Sequence, residues 1–438
     1  MKKLTPFVII ILFFIIACNK NEQNITNSAI EIPELLQRQA VIGPTEEMGN
    51  VNDLYNNLVN KIKANPNDLE ARLTLAELFM QEARISGEHG HYFPAALTVI
   101  NAVLNLNPDQ PIRYRALLDK SSVLLSLHQF AEAKKIGEEA VQLNPYDAGI
   151  YGVLVDANVE LGDYKKAVEM ADKMVSIRPD IRSYSRISYL REIHGQVNGS
   201  IEAMKLAVSA GYPGMEQTEW ARLVLGNLYK YYGHLDSAEM QYNIALSARP
   251  NYPFAVAALA DVAALKGNQE EAEALLKKAC TLIPEVGFYV DLAKMEKEKG
   301  NEAEVKKLVN EIIPMLEDDE KNGHMMSLEY AEVYLELLND VNKALEYAQK
   351  EYKMRPDNID VNKSLAVIYY RKGDLKKSRE HLNKALITKS QNPELLCLDG
   401  LLKAKENAIS EGKQLIQKAF AMNPNLSCSY CAEAKEKL

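Results

Sequence analysis

Apolar residues return every three or four positions through most of this chain, in bursts separated by glycine, asparagine and proline. Residues 148–179 show the pattern most plainly. Ile150, Val153, Leu154, Ala157 and Leu161 share one helical face. Gly162 stops that helix, because glycine takes the left-handed backbone at a helix C-terminus without a Cβ clash. Asp163 is placed to cap the next helix by accepting its free N–H groups. Ala167, Ala171 and Met174 line the inner face of that second helix, and Pro179 blocks its continuation. The stretch predicts two amphipathic helices packed back to back.

The same punctuation recurs in two ladders. Closing prolines stand at 108, 145, 179, 213, 250, 284, 356 and 424. Turn residues stand at His128, Gly162, Gly195, Gly233, Gly267, Gly300, Asn339, Gly373 and Asn407, with Asp163, Asp236, Asn268, Asn301, Asp340 and Asp374 expected as caps. Small residues such as Ala76, Ala133, Ala167, Gly226, Ala260 and Gly400 sit where helices would cross closely. This is similar to the tetratricopeptide repeat, a helix–turn–helix unit of about 34 residues. The resemblance covers roughly residues 51–424, about ten units. It implies an all-α fold, a right-handed αα superhelix whose first helices line a concave surface that grips an extended peptide or partner helix. The unit at 285–317 is degenerate, with Val305 and Ile312 at small-residue positions. Residues 84–94 (RISGEHGHYFP) and 212–216 read as insertions that lengthen turns into loops.

The ends differ from the repeats. Lys2 and Lys3 followed by the apolar run Phe7–Ala17 read as a signal peptide over residues 1–17. Ile15-Ile16-Ala17-Cys18 resembles the lipobox of bacterial lipoproteins, which implies lipidation of Cys18 and a membrane anchor. Asn19 in place of aspartate favours the outer membrane of the cell envelope, with the periplasmic or surface face left open. Residues 18–50 read as a polar tether, with a docking piece near Leu35–Ile42, residues 51–66 as a capping helix, and 425–438 as a C-terminal cap or tail. The wording MQEARISGEHGHYFPAAL resembles a broad group of bacterial envelope tetratricopeptide proteins, which implies the fold and no reaction.

Charge and chemistry narrow the function. The formal net charge of −9 makes a poor generic nucleic-acid binder, and the chain is more acidic still once Lys2 and Lys3 are removed. No phosphate loop, nucleophile elbow or HExxH motif appears, so the expectation is a non-enzymatic protein without cofactor or metal. Glu88-His89-Gly90-His91 supplies two imidazoles but no third ligand, and reads as solvated loop histidines. Cys280 and Cys397 read as small buried hydrophobes, and Cys428 and Cys431 as a disulfide stapling the last cap. Aligned on the turn residues, Arg182, Ser185, Arg186 and Tyr189, then Trp220, Asn227, Lys230 and Tyr231, form a cationic and aromatic groove patch of the types enriched at hot spots. The opposing reading packs these aromatics between helices and pairs the arginines with nearby acids. The expected role is a lipid-anchored scaffold or adaptor for a protein or peptide partner. The alternatives are a small-molecule or glycan-binding lipoprotein and, behind it, a thiol redox protein.

Overall fold

The computed structural model describes residues 32–438, of which Pro33–Leu438 form one compact unit. The expected signal peptide, Cys18 and the first part of the tether lie outside the described residues. Helix α1 (Glu47–Ala64) stands alone, starting four residues before the capping helix expected at 51. Ten helix pairs follow among the described residues. They are α2 and α3 (Leu69–Ser86, His89–Asn105), α4 and α5 (Gln110–Ser126, Phe130–Leu143), α6 and α7 (Ala148–Glu160, Tyr164–Ile177), and α8 and α9 (Ile181–Ile193, Val197–Ser209). Next come α10 and α11 (Glu216–Tyr231, Leu235–Ala248), α12 and α13 (Pro253–Leu265, Gln269–Leu282), and α14 and α15 (Val286–Glu298, Glu302–Lys321). Helix α16 (Ser327–Glu332) runs into a π turn at Val333–Leu337 and pairs with α17 (Val341–Met354). Helices α18 and α19 (Ile359–Lys372, Leu375–Ala385) and α20 and α21 (Pro393–Lys405, Ile409–Met422) complete the pairs, and the short α22 (Cys431–Lys435) closes the chain. No helix among the described residues is long and apolar enough to cross a membrane.

The turn ladder holds at every rung. All nine turn residues have positive φ, from 54° at Asn339 to 86° at Gly267. Asp163, Asn301, Asp340 and Asp374 accept hydrogen bonds from first-turn N–H groups. Asp236 and Asn268 do not. Asp236 lies inside α11, whose cap position is His234, and the Asn268 amide donates to Glu271 instead. Alanines at the crossings are sealed: Ala76, Ala133, Ala167, Ala260 and Ala419 are all fully buried. At Gly226 a Cβ would collide with the Tyr242 ring, so α10 and α11 approach only because the side chain is absent.

The expected loop at 84–94 is a correction. Helix α2 runs to Ser86 and α3 begins at His89, so the extra residues lengthen both helices to 18 and 17 residues. Ile85, Tyr92 and Phe93 are 1–4 % exposed, and burying them offsets the cost of ordering the insertion.

Turns of the superhelix stack directly on one another. The α4–α5 turn contacts the segment after α15: His128 Nδ1 donates to the Met325 carbonyl at 3.0 Å and Gln129 Nε2 to the Gly323 carbonyl at 2.8 Å. The α6–α7 turn contacts the segment after α17: the Ile359 N–H donates to the Tyr164 hydroxyl at 2.7 Å, and Arg355 pairs with Glu160. The α10–α11 turn contacts the end of α21, where the Asn423 amide donates to the carbonyls of Lys230 and Tyr231. These partners are 192–197 residues apart, about six repeats, which is one superhelical turn.

Residues 33–46, from the stretch expected as a tether with a docking piece near Leu35–Ile42, strap the first turn to the second. The Gly43 N–H donates to the Pro250 carbonyl at 2.7 Å, and Ile42 is 2 % exposed. Arg38 bonds both Glu82 and Glu47, and Glu47 bonds Arg249, which is fully buried. Burial alone would raise the Glu47 carboxyl, but hydrogen bonds from Arg249 and Arg38 hold it below its usual value. Alternating charges in one chain let each buried ion keep a partner.

Candidate functional site: the interior of the superhelix

First helices carry the predicted patch, and the structure divides it. Arg182, Tyr189, Trp220 and Tyr231 are exposed. Three of them are nevertheless strongly desolvated. Burial lowers the Arg182 guanidinium, with Arg84 of α2 among the like charges acting on it. Burial pushes the Tyr189 hydroxyl well above its usual value, helped by Asp360, Glu160 and Glu192. Tyr231 is raised by burial too, within range of Lys363 and Glu394. Water reaches these side chains, yet protein surrounds them, as it does on the inner wall of a narrow channel. Asp360 and Lys363 belong to α18, in the second superhelical turn.

The other four predicted residues are tied up. Arg186 grips Asp156 with two hydrogen bonds of 2.9 and 2.5 Å and also donates to the Gly152 carbonyl. Ser185 donates to its own helix at the Ile181 carbonyl, 2.6 Å away. Asn227 accepts from the buried Tyr242 hydroxyl at 2.7 Å. Lys230 pairs with Asp261 and lies 5.5 Å from the Tyr231 ring. Of the predicted arginines, Arg186 is the one paired with an acid among the described residues, Asp156 on α6.

Trp220 heads an aromatic ladder that the sequence reading missed. Its ring meets Phe254 edge-on at 6.0 Å, and Phe254 meets Phe288 at 5.6 Å. The three lie at one register position on α10, α12 and α14, so the recurrence in phase was the available signal. Edge-to-face geometry suits ring quadrupoles, and Trp220, 47 % exposed, keeps part of its ring open to solvent.

The histidines of the insertion are not solvated loop residues. His91 Nε2 donates to the Glu34 carbonyl at 2.8 Å, and His89 stacks on Phe93. His89 lies 6.2 Å from His324, which in turn lies 4.4 Å from His128. Burial lowers all three imidazoles, His324 to about 3 with His128 and His89 adding repulsion. No group suited to a metal ion occurs among the described residues. Cys428 and Cys431 are joined by a disulfide, with Cα atoms 4.9 Å apart. Burial pushes the Cys280 and Cys397 thiols up to about 12, which leaves them unreactive at neutral pH.

Comparisons with known protein families agree with this architecture. One family model described as a tetratricopeptide repeat matches residues 124–191, and a second with the same description matches 223–286 and 324–393. Among solved structures, the chain is similar to TTC0263, a thermophilic tetratricopeptide protein of Thermus thermophilus. That match has 23 % identity and a TM-score of 0.38, covering 44 % of this chain and 98 % of the other. It is also similar to PilW, a type IV pilus biogenesis factor, at 19 % identity and a TM-score of 0.37, covering 46 % and 98 %. YrrB, a tetratricopeptide protein with an unusual peptide-binding site, matches at 21 % identity and a TM-score of 0.29, covering 40 % and 88 %. With two ladders of helix ends in phase, ten helix pairs among the described residues and repeat models matching in three places, the chain carries tetratricopeptide repeats.

Proposed function

We propose that this chain is a lipid-anchored, non-enzymatic adaptor of the bacterial cell envelope that holds an extended polypeptide inside its superhelix. Its repeats support a protein–protein interaction scaffold. The observation that carries the finer reading is the set of exposed but desolvated side chains on first helices, Arg182, Tyr189 and Tyr231, together with the half-exposed Trp220. Charge and aromatic surface in a confined, low-dielectric space bind more strongly than the same groups on an open surface. Stacked turns preorganise the wall, so little entropy is lost on the scaffold side. Lipidation of Cys18 would place this channel at a membrane.

A photo-crosslinking residue placed at 189 or 220 in intact cells tests the reading. The expected result is a discrete adduct from these positions and none from Tyr146, which is 81 % exposed. Equal labelling at 146, or no adduct at 189 and 220, overturns it. Incorporation of labelled fatty acid, lost in Cys18→Ala, tests the anchor separately. The aromatic ladder favours a second reading, a sugar ring stacked on Trp220. A melting temperature raised by a glycan would support that reading.

A further inference from the structure

A cleft of about 1030 Å³ opens where the α2–α3 junction of the first superhelical turn faces α14, the end of α15 and the start of α16 in the second. Seven carboxylates and a single guanidinium line it. The guanidinium, Arg84, is directed at Glu216 outside the cleft. Asp291 and Glu332 share Lys294. Glu285, Asp318, Asp319 and Glu329 form no salt bridge among the described residues. Phe93, Val286, Val290 and Met326 supply apolar wall between these acids. His324 also lines the cleft, and both its ring nitrogens are shielded from solvent without a hydrogen-bond partner.

We infer that this inter-turn cleft is a second binding site, which takes lysine or arginine side chains of a polypeptide. Unpaired carboxylates between apolar walls match a cation on an aliphatic stem, since the stem buries against the wall while the head takes the charges. The volume is large enough for more than one such side chain. Crowding supports the same occupant. Burial raises Glu329 to about 7 and Asp319 to about 6, with neighbouring carboxylates adding to the rise and His89 opposing it at Asp319, and burial raises Glu285 as well. A seated cation would favour the ionised carboxyls and so release protons from this cleft. The inference rests on the scaffold reading only in taking a polypeptide as ligand. Its residues are distinct from the Arg182–Trp220 patch.

The test is calorimetric titration of the full chain with hexalysine at neutral pH in two buffers of different ionisation enthalpy, with hexaglutamate and spermidine as comparison probes. Hexalysine is expected to bind with release of protons, and hexaglutamate not to bind. Glu285→Gln/Asp319→Asn/Glu329→Gln is expected to weaken hexalysine at least tenfold and abolish proton release without lowering the melting temperature. Glu138→Gln/Asp172→Asn/Glu202→Gln, on exposed faces of second helices, is expected to bind as the wild type does. Equal loss from both triple variants would mean general attraction to an acidic protein and overturn the site. Unchanged binding by the cleft variant, or binding of spermidine in place of hexalysine, would overturn it too. Arg182→Glu/Trp220→Ala is expected to keep hexalysine binding, so failure of the channel reading would be seen separately.

Discussion

A Cβ on Gly162 would stand 2.6 Å from the carbonyl carbon and oxygen of Asp357, a residue one superhelical turn away. Gly267 occupies the equivalent turn in a later repeat with nearly the same φ, 86° against 84°, and nothing lies within 4 Å of where its Cβ would stand. Two glycines that look interchangeable in the repeat pattern therefore do different jobs. One supplies only a left-handed backbone, and the other also lets two turns of the superhelix touch.

Gly267→Ala should cost about 1 kcal/mol, the ordinary penalty for alanine in the left-handed region. Gly162→Ala should cost about 1–3 kcal/mol more, since backbone atoms of Asp357 must move to admit the methyl group. Urea denaturation of both variants checks the difference. Equal costs would mean the turns are not in contact in solution.

Arg355 joins the turns electrostatically. Its guanidinium pairs with Glu160 of the first turn and with Glu351 of its own helix, and lies 4.7 Å from the Phe130 ring. Arg355→Met removes the cation and strands two desolvated carboxylates, a loss of about 3–5 kcal/mol for a buried pair broken on one side. The expected variant keeps its helical circular dichroism in the cold but shows a larger radius of gyration by solution scattering. A wild-type radius together with wild-type stability would refute the role given to this seam.

Stability should fall from about pH 5 to about pH 8. Burial raises Asp119, Glu160, Glu192 and Glu329 to about 7, and Asp291 and Asp319 to about 6. A carboxyl with a raised folded pKa contributes stability that is complete below its unfolded value and lost as pH rises through the folded one. His89, His128 and His324 act in the opposite direction, because their lowered folded values cost stability as pH falls below the ordinary imidazole range. Six carboxyls outweigh three imidazoles in the overlapping window. Asp119→Asn, at a buried site whose Oδ2 has no partner, should stabilise the protein at about pH 8 by about 1–3 kcal/mol and flatten the profile. Melting curves across this range decide the sign.

Arg182 and Arg186, one helical turn apart, should separate cleanly. Arg186→Ala breaks the paired bonds to Asp156 and should cost about 1 kcal/mol of stability. Arg182→Ala breaks no salt bridge among the described residues and should leave the melting temperature unchanged, while weakening crosslinking at position 189. A stability loss at Arg182 matching that at Arg186 would place it in the scaffold.

Local chemistry determined much of this protein. Glycine and asparagine at helix ends, aspartate at caps and proline after eight of the ten second helices are short-range signals, and all nine turn residues adopt the conformation their positions imply. Failures were also local in kind. Asp236 falls two residues past the cap position of its helix, and Asn268 sits at the cap position without capping, because capping needs a register and a side-chain geometry that residue type alone does not impose. The insertion at 84–94 looked like a loop because glycine and histidine dominate it, and it became helix because Ile85, Tyr92 and Phe93 found a core to enter.

What the tertiary structure alone decided is which residues meet across about six repeats. Small rotations between neighbouring helix pairs accumulate along a solenoid, and no short window of sequence carries their sum. The strap from Pro33, the Glu160–Arg355 pair and the acidic cleft between turns all depend on that sum closing into contact. The predicted patch followed the same rule. Repeat phase placed Arg182 and Arg186 together on α8, but only the position of Asp156 on α6 made Arg186 a scaffold partner, while Arg182 forms no salt bridge among the described residues.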